Sequence, residues 1–236
     1  MTAYSSHAAL ITGASRGLGL ALARRLAAEG WTLIIDARGA EALEAARAEL
    51  AELTRVVSIP GDVTDEQHRR ALAGAAYEVG GLDALVNNAS ILGPSPQPEL
   101  LDYPLDVLEE VYRTNAVAPL ALVQAVVEDL RPGARILNVT SDAGVEPYPR
   151  WGGYGSSKAA LEHLSSILAA ENPSLRVYWV DPGDMQTQMH REAFPGEDIS
   201  DGPLPEESVP GLLYLLTGDL PSGRYEARTF IQTRKG

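Results

Sequence analysis

The chain contains no cysteine, which removes disulfide cross-links, a thiolate nucleophile and cysteine-ligated metal from consideration. It also lacks any uninterrupted apolar stretch of about 18 residues, the length a membrane-crossing helix needs. The opening MTAYSSHAALITG carries no basic flank ahead of a long apolar run, so secretion and membrane insertion are not expected, and the cytoplasm is the expected compartment. Positive charge is scarce. Lys and Arg total 19 against 32 Asp and Glu, a net charge of -13, which opposes nucleic acid and anionic membrane as partners. Lysine is scarcest of all: Lys158 and Lys235 stand alone among arginines, so Lys158 calls for a specific chemical reason.

What is present is ordinary for a globular protein: 236 residues, 45% hydrophobic and 22% charged. That length fits one α/β domain spanning residues 1–236. Short β-branched or apolar runs recur at Ala8 to Ile11, Thr32 to Ile35, Val56 to Ile59, Ala84 to Val86, Ile136 to Val139 and Val177 to Val180. Segments of helical length or pattern separate them. In Leu18 to Glu29 the apolar Leu18, Leu22 and Leu26 share one face, and Gly30 ends the segment. Such alternation predicts an α/β fold, a single Rossmann-type doubly wound parallel sheet with helices on both faces, whose ligand site lies beyond the carboxyl ends of the strands. Two irregular stretches stand out: a Pro-rich loop at 93–104, and an acidic Gly- and Pro-bearing stretch from Phe194 to Pro205. The latter sits within a substrate loop expected over 184–208, ahead of a short helix at Val209 to Leu216.

The chemistry-bearing residues fall at the predicted strand ends. Gly13-Ala14-Ser15-Arg16-Gly17-Leu18-Gly19 links the first strand to the first helix, where glycines permit a tight turn and let backbone N–H groups approach a pyrophosphate. Taken alone, it is also what any strand-to-helix turn looks like. Asn87-Asn88-Ala89-Ser90 follows the fourth predicted strand and Ser141 the fifth. Tyr154 and Lys158 sit four apart, so on a helix a phenol and an ammonium share one face. An isolated pair of this kind is ordinarily a surface pair. The four histidines, His7, His68, His163 and His190, have no partner at metal-ligand or catalytic spacing in sequence and receive no role.

Together these motifs resemble the short-chain dehydrogenase/reductase family, from about Ala8 to Met189. The match comprises the glycine turn, Asp62 after the third strand, Asn-Asn-Ala, Asn115, Ser141, the Tyr-x-x-x-Lys and Pro182-Gly183. The resemblance implies a nicotinamide-dependent oxidoreductase that moves a hydride to or from the carbonyl of a small aldehyde, ketone or alcohol. It also implies a homodimer or homotetramer and needs no metal. Tyr154 would be the general acid or base, its phenol pulled below the usual value of about 10 by the Lys158 ammonium. Lys158 would also bind the nicotinamide ribose. Ser141 would donate to the substrate oxygen, and Asn115 would hold a water connecting Lys158 to solvent. Gly13, Ser15, Arg16, Gly17, Leu18, Gly19, Arg38, Asp62, Val63, Asn88, Ala89, Pro182, Gly183 and Thr187 would contact the cofactor, with Asp62 accepting from the adenine amine and Thr187 meeting the carboxamide.

The cofactor expected is NADP(H) rather than NAD(H). An acid at the end of the second strand selects NAD in this fold, and by the resemblance that position is Ala37, not Asp36; Arg38 and Arg16 then offer two guanidiniums to a 2′-phosphate. Were the turn shifted by one residue, Asp36 would reach the ribose and NADH would be preferred. The stretch LAAENPSLRVYWVDPGDMQTQM is also similar to sepiapterin reductases. Two features depart from the family pattern: Ser90 stands where a glycine follows the Asn-Asn-Ala motif, and the chain end lacks a glycine-rich final strand. An alternative reading is a dinucleotide-sensing protein that keeps the fold without turnover, which loss of Tyr154 or Lys158 would favour; both are present.

Overall fold

Ala8–Ile11 is wholly apolar and wholly buried, as a strand covered on both faces must be, and it forms the interior strand β1. The computed structural model describes residues 7–232. From β1 the chain continues through α1 (Gly17–Ala28), β2 (Thr32–Ala37), α2 (Ala40–Ala51), β3 (Val56–Pro60), α3 (Glu66–Glu78) and β4 (Leu82–Asn87). There follow α4 (Leu105–Tyr112), a π-helical turn (Arg113–Val117), α5 (Ala118–Val126), β5 (Leu130–Val139) and α6 (Gly152–Glu171). The last elements are β6 (Arg176–Asp181), α7 (Gln188–Ala193), α8 (Val209–Thr217), β7 (Gly223–Glu226) and α9 (Thr229–Gln232). Among these described residues no helix is long and apolar enough to cross a membrane.

The seven strands form one parallel sheet in the order β3-β2-β1-β4-β5-β6-β7. Successive residues of each strand face opposite sides, so Ile11, Leu33 and Ile35 pack under α1, α2 and α8, while Leu10, Ile34 and Leu85 pack under α3 and α5. This is the doubly wound arrangement expected. Connections leave β1 toward β2 on one side and reach β4 on the other, so a crevice opens where the strand order reverses.

The expected apolar runs are the cores of six strands, and five of these strands extend further, four of them at the carboxyl end into residues that touch the loops, such as Asp36 and Asn87. Gly30, with φ of 78°, ends α1, its N–H donating to Ala27 O while Trp31 N–H donates to Leu26 O. The strand β7 was not expected. Its residues Gly-Arg-Tyr-Glu carry no apolar run, and they become a strand because β6 offers an open edge with register Tyr178↔Gly223 to Asp181↔Glu226.

Candidate active site

Loops at the carboxyl ends of the strands enclose a cleft of about 1090 Å³, large enough for a dinucleotide together with a small molecule. Every expected site residue except Gly19 and Asn115 lines it.

The glycine turn builds its floor. Gly13 and Gly17 have φ of 66° and 57°, a region L side chains rarely adopt, and a Cβ on Gly13 would lie 3.0 Å from Ala89 Cα and from Asn88 Nδ2. Asn88 clamps the turn, its Nδ2 donating to Thr12 O at 2.9 Å and Gly13 O at 3.1 Å. The N–H groups of Asn88 and Ala89 both donate to Thr12 Oγ1, each at 3.0 Å. At the start of α1, Arg16 makes no side-chain cap, so the first-turn N–H groups remain available to an anion. The residues therefore fit a pyrophosphate. Gly19, also expected at the cofactor, does not line the cleft. It faces the protein, and a Cβ there would sit 2.5 Å from Gly13 O and 2.6 Å from Asn88 Nδ2, so its bareness lets α1 pack against the clamp.

Next to the turn lie Arg38, Asp62 and Val63. Arg16 and Arg38 are exposed on the cleft wall, and neither forms an ion pair with another described residue. Asp62 accepts from Thr64 N–H and Oγ1, each at 2.8 Å. Burial opposes ionisation of Asp62, but those two bonds, with Arg38 and His68 nearby, hold its carboxyl below the usual carboxylate range. Asp36 is turned inward, its Oδ1 accepting from Gly13 N–H at 2.9 Å and its Oδ2 lying 2.9 Å from His68 Nε2. That pairing corrects the sequence reading, which gave His68 no role. The two residues are 32 apart in the chain, a separation no local pattern connects.

At the other end of the cleft, Tyr154 and Lys158 lie one turn apart on α6, both buried. Lys158 Nζ donates to Val139 O at 2.8 Å and sits 5.4 Å from the centre of the Tyr154 ring. Burial pushes the ammonium down to about 7, with Glu162 one turn further along working against it. The phenol does not follow the expected direction. Burial raises it above its ordinary value, and the Asp181 and Asp142 carboxylates add to the rise, while the Ser141 and Ser90 hydroxyls oppose it. The reason is that both groups lie out of water, where the cost of charging outweighs the pull of a partly neutral lysine.

Ser141 follows β5 and donates to Asp142 Oδ1 at 2.9 Å while accepting from Ala143 N–H at 3.2 Å. Asn115 sits in the π-helical turn between α4 and α5, an irregularity that aims its amide at a neighbouring loop and helix. Its Oδ1 accepts from Ile91 N–H at 2.9 Å and Ser90 Oγ at 3.1 Å, and its Nδ2 donates to Ile91 O at 2.9 Å and Ser157 Oγ at 3.0 Å. With two bonds accepted and two donated, the side-chain amide is fully engaged and fastens the loop after β4 to α6. The Ser90 hydroxyl, where the family pattern has glycine, is part of this fastening.

Thr187 caps α7 through its hydroxyl and lies over the turn, 3.6 Å from where a Gly17 Cβ would be. Gly183, with φ of 74°, donates its N–H to Asp181 Oδ1 at 2.8 Å, and the Pro182 carbonyl accepts from Ser208 Oγ at 2.6 Å. Sequence reasoning also missed the apolar wall beside Tyr154. Leu92, Trp151 and Met189 pack there, and Trp151 lies edge-on to the Tyr154 ring at 5.8 Å. Trp151, a scarce residue type just ahead of Tyr154, was the available signal.

The model of the short chain dehydrogenase family matches residues 7–198. A serine 3-dehydrogenase of Rhizobium radiobacter is 36% identical over 185 residues, 76% of this chain and 72% of that protein. The sepiapterin reductase of Bos taurus is 34% identical over 201 residues, covering 78% of this chain and 74% of that protein, in line with the similarity noted in the sequence. A short chain dehydrogenase from Shigella flexneri, solved in complex with NADP, superposes with a TM-score of 0.87 at 29% identity, over 94% of this chain and 97% of that one. With the glycine turn and the Tyr154–Lys158 helix opening on one cleft, and with relatives that are dehydrogenases and reductases, the chain belongs to the short chain dehydrogenase family of oxidoreductases acting on alcohol and carbonyl groups.

Proposed function

We propose that the protein reduces the carbonyl of a small aldehyde or ketone with NADPH, or runs the reverse alcohol oxidation, with Tyr154 as the acid/base. The observation that carries this reading is the convergence of Tyr154, Lys158 and Ser141 at one end of a cleft whose other end is the glycine turn. The dihydronicotinamide, when bound, supplies the hydride to the carbonyl carbon. As the carbon–oxygen π pair moves onto oxygen, the Tyr154 hydroxyl gives that oxygen its proton. The raised phenol suits this direction, because it keeps Tyr154 protonated and ready to donate at neutral pH. Ser141 turns its hydroxyl from Asp142 to the same oxygen. Lys158, close to half-charged near neutrality, stabilises the phenolate left behind and returns a proton to it.

Preference for NADP(H) follows from the adenosine end. Ala37 offers no carboxylate, Asp36 faces inward, and the Arg16 and Arg38 guanidiniums stand on the wall without an ion-pair partner among the described residues. Arginine suits bidentate phosphate binding, and the NADP complex of the Shigella flexneri relative is in line with it.

The test is Tyr154→Phe, which removes the proton donor and little else. Turnover of a carbonyl found by screening aldehydes, ketones, pterins and sugars is expected to fall at least about 100-fold, with the NADP+ dissociation constant unchanged. Retention of more than about a tenth of the activity would remove Tyr154 as the acid.

A further inference from the structure

We infer that His68 is a cofactor-specificity residue, which holds the Asp36 carboxylate away from the adenosine ribose. The inference rests on the reading of an NADP(H)-preferring cleft. Asp36 lies at the strand end where this fold places its NAD-selecting acid, one residue before the selecting position, and it forms part of the cleft wall. An ionised side chain there would accept from the ribose hydroxyls and repel a 2′-phosphate. Yet only 1% of Asp36 is exposed, because both of its oxygens are engaged by protein donors, Gly13 N–H and His68 Nε2–H.

The position of His68 strengthens the case. The buried residues of α3 are His68, Leu72, Ala75 and Ala76, one face of an amphipathic helix, so His68 occupies a core position that leucine would fill equally well for packing. A polar ring in such a position has to be satisfied, and its partner is Asp36. Room for the ring comes from Gly61, where a Cβ would lie 2.2 Å from His68 Nδ1. The glycine turn, β2 and α3 thus meet on one carboxylate.

The energetics decide its direction. A buried acceptor left without its donor is penalised, the more so when charged, so a carboxylate deprived of His68 gains by taking ribose hydroxyls instead. With His68 in place, Arg16 and Arg38 act on the 2′-phosphate without a competing anion from β2. Asp62, the other carboxylate on this wall, is occupied by Thr64.

The experiment measures dissociation constants of NADP+ and NAD+ by calorimetry in the parent, His68→Leu, His68→Gln, Asp36→Asn and the double variant His68→Leu/Asp36→Asn. In His68→Leu the preference for NADP+ is expected to drop at least about tenfold, a difference of about 1.4 kcal/mol. His68→Gln, which keeps a donor, is expected to lose less, and Asp36→Asn in the leucine background to restore the parent's ratio. Equal weakening of both cofactors in His68→Leu, or an unchanged ratio, overturns the inference. A parent that favours NAD+ overturns the reading of cofactor preference instead, while the change of ratio on removing His68 still decides this one. Should His68→Leu not fold, Asp36→Asn decides: a sequestered carboxylate leaves the ratio within about threefold, and a larger gain for NADP+ shows that Asp36 already acts on the ribose.

Discussion

Lys158 carries its charge where charge is penalised, and that has a consequence for stability. Its ammonium is pushed down to about 7 from the ordinary 10.5, so between those values the unfolded chain binds a proton that the folded protein does not. The folded state therefore gains stability as pH rises through that window, by up to about 1.4 kcal/mol per pH unit, and the gain is absent below about pH 7, where both states are protonated. In Lys158→Met the titration disappears. Unfolding free energies of parent and variant, measured by denaturant from pH 7 to pH 10, are expected to differ by an amount that moves in the parent's favour with increasing pH. A constant difference would show that the ammonium is not desolvated. Taking the difference cancels the other titrating groups, which the two proteins share. At this scale the sequence identified the residue, because lysine is otherwise so scarce. The direction of its shift, and that of Tyr154, depends on burial that no four-residue spacing contains.

Among the elements, α1 sets helix propensity against packing at a single residue. Gly19 keeps α1 close to Gly13 and Asn88. Alanine is the better helix former by about 1 kcal/mol, so propensity alone predicts that Gly19→Ala stabilises the protein. The close approach of Gly13 O, at 2.5 Å from the new Cβ, predicts the opposite, an overpacking cost of roughly 1–3 kcal/mol, because the clash is with backbone that cannot yield cheaply. Urea denaturation checks it: a lowered midpoint is expected, and a neutral or raised one would mean that the turn relaxes freely. The π-helical turn between α4 and α5 was invisible in the sequence, since Arg-Thr-Asn-Ala-Val reads as ordinary helix. Its cause lies elsewhere, in the bonds that Asn115 makes to Ile91 and Ser157. The edge strand β7 was equally hidden, although it brings Arg224 to Glu162 at 3.1 Å.

For the molecule as a whole, the sheet order sets a crevice between β1 and β4, and the segment from Phe194 to Pro205 starts at its rim. Phe194 lies 5.8 Å from Trp151, itself on the cleft wall, and the far end of the stretch is held by Gln186, whose backbone N–H donates to Pro203 O at 2.9 Å and whose Nε2 donates to Ser200 O at 2.7 Å and to Gly202 O. We expect this stretch to act as a lid, with Gly196, at φ of 90°, as one hinge and its acidic residues Glu197, Asp198 and Asp201 disfavouring anionic substrates. Amide hydrogen exchange should slow over residues 194–205 when cofactor and substrate are both added. Unchanged protection there would make it a solvated crossover with no gating role.

The sequence by itself determined the alternating architecture, the glycine turn and the pairing of Tyr154 with Lys158. Each of these is a local matter: periodicity assigns a face, four residues make a helical turn, and glycine alone accepts the φ of a tight loop. Tertiary structure decided the rest. It joined His68 to Asp36 across 32 residues and Asn115 to Ser157 across 42, and it recruited β7 to an open sheet edge. It also set the direction in which Tyr154 and Lys158 are shifted. Those outcomes depend on which distant groups share a buried space, and only the packed fold brings them into one low-dielectric site where partners and protonation are settled together.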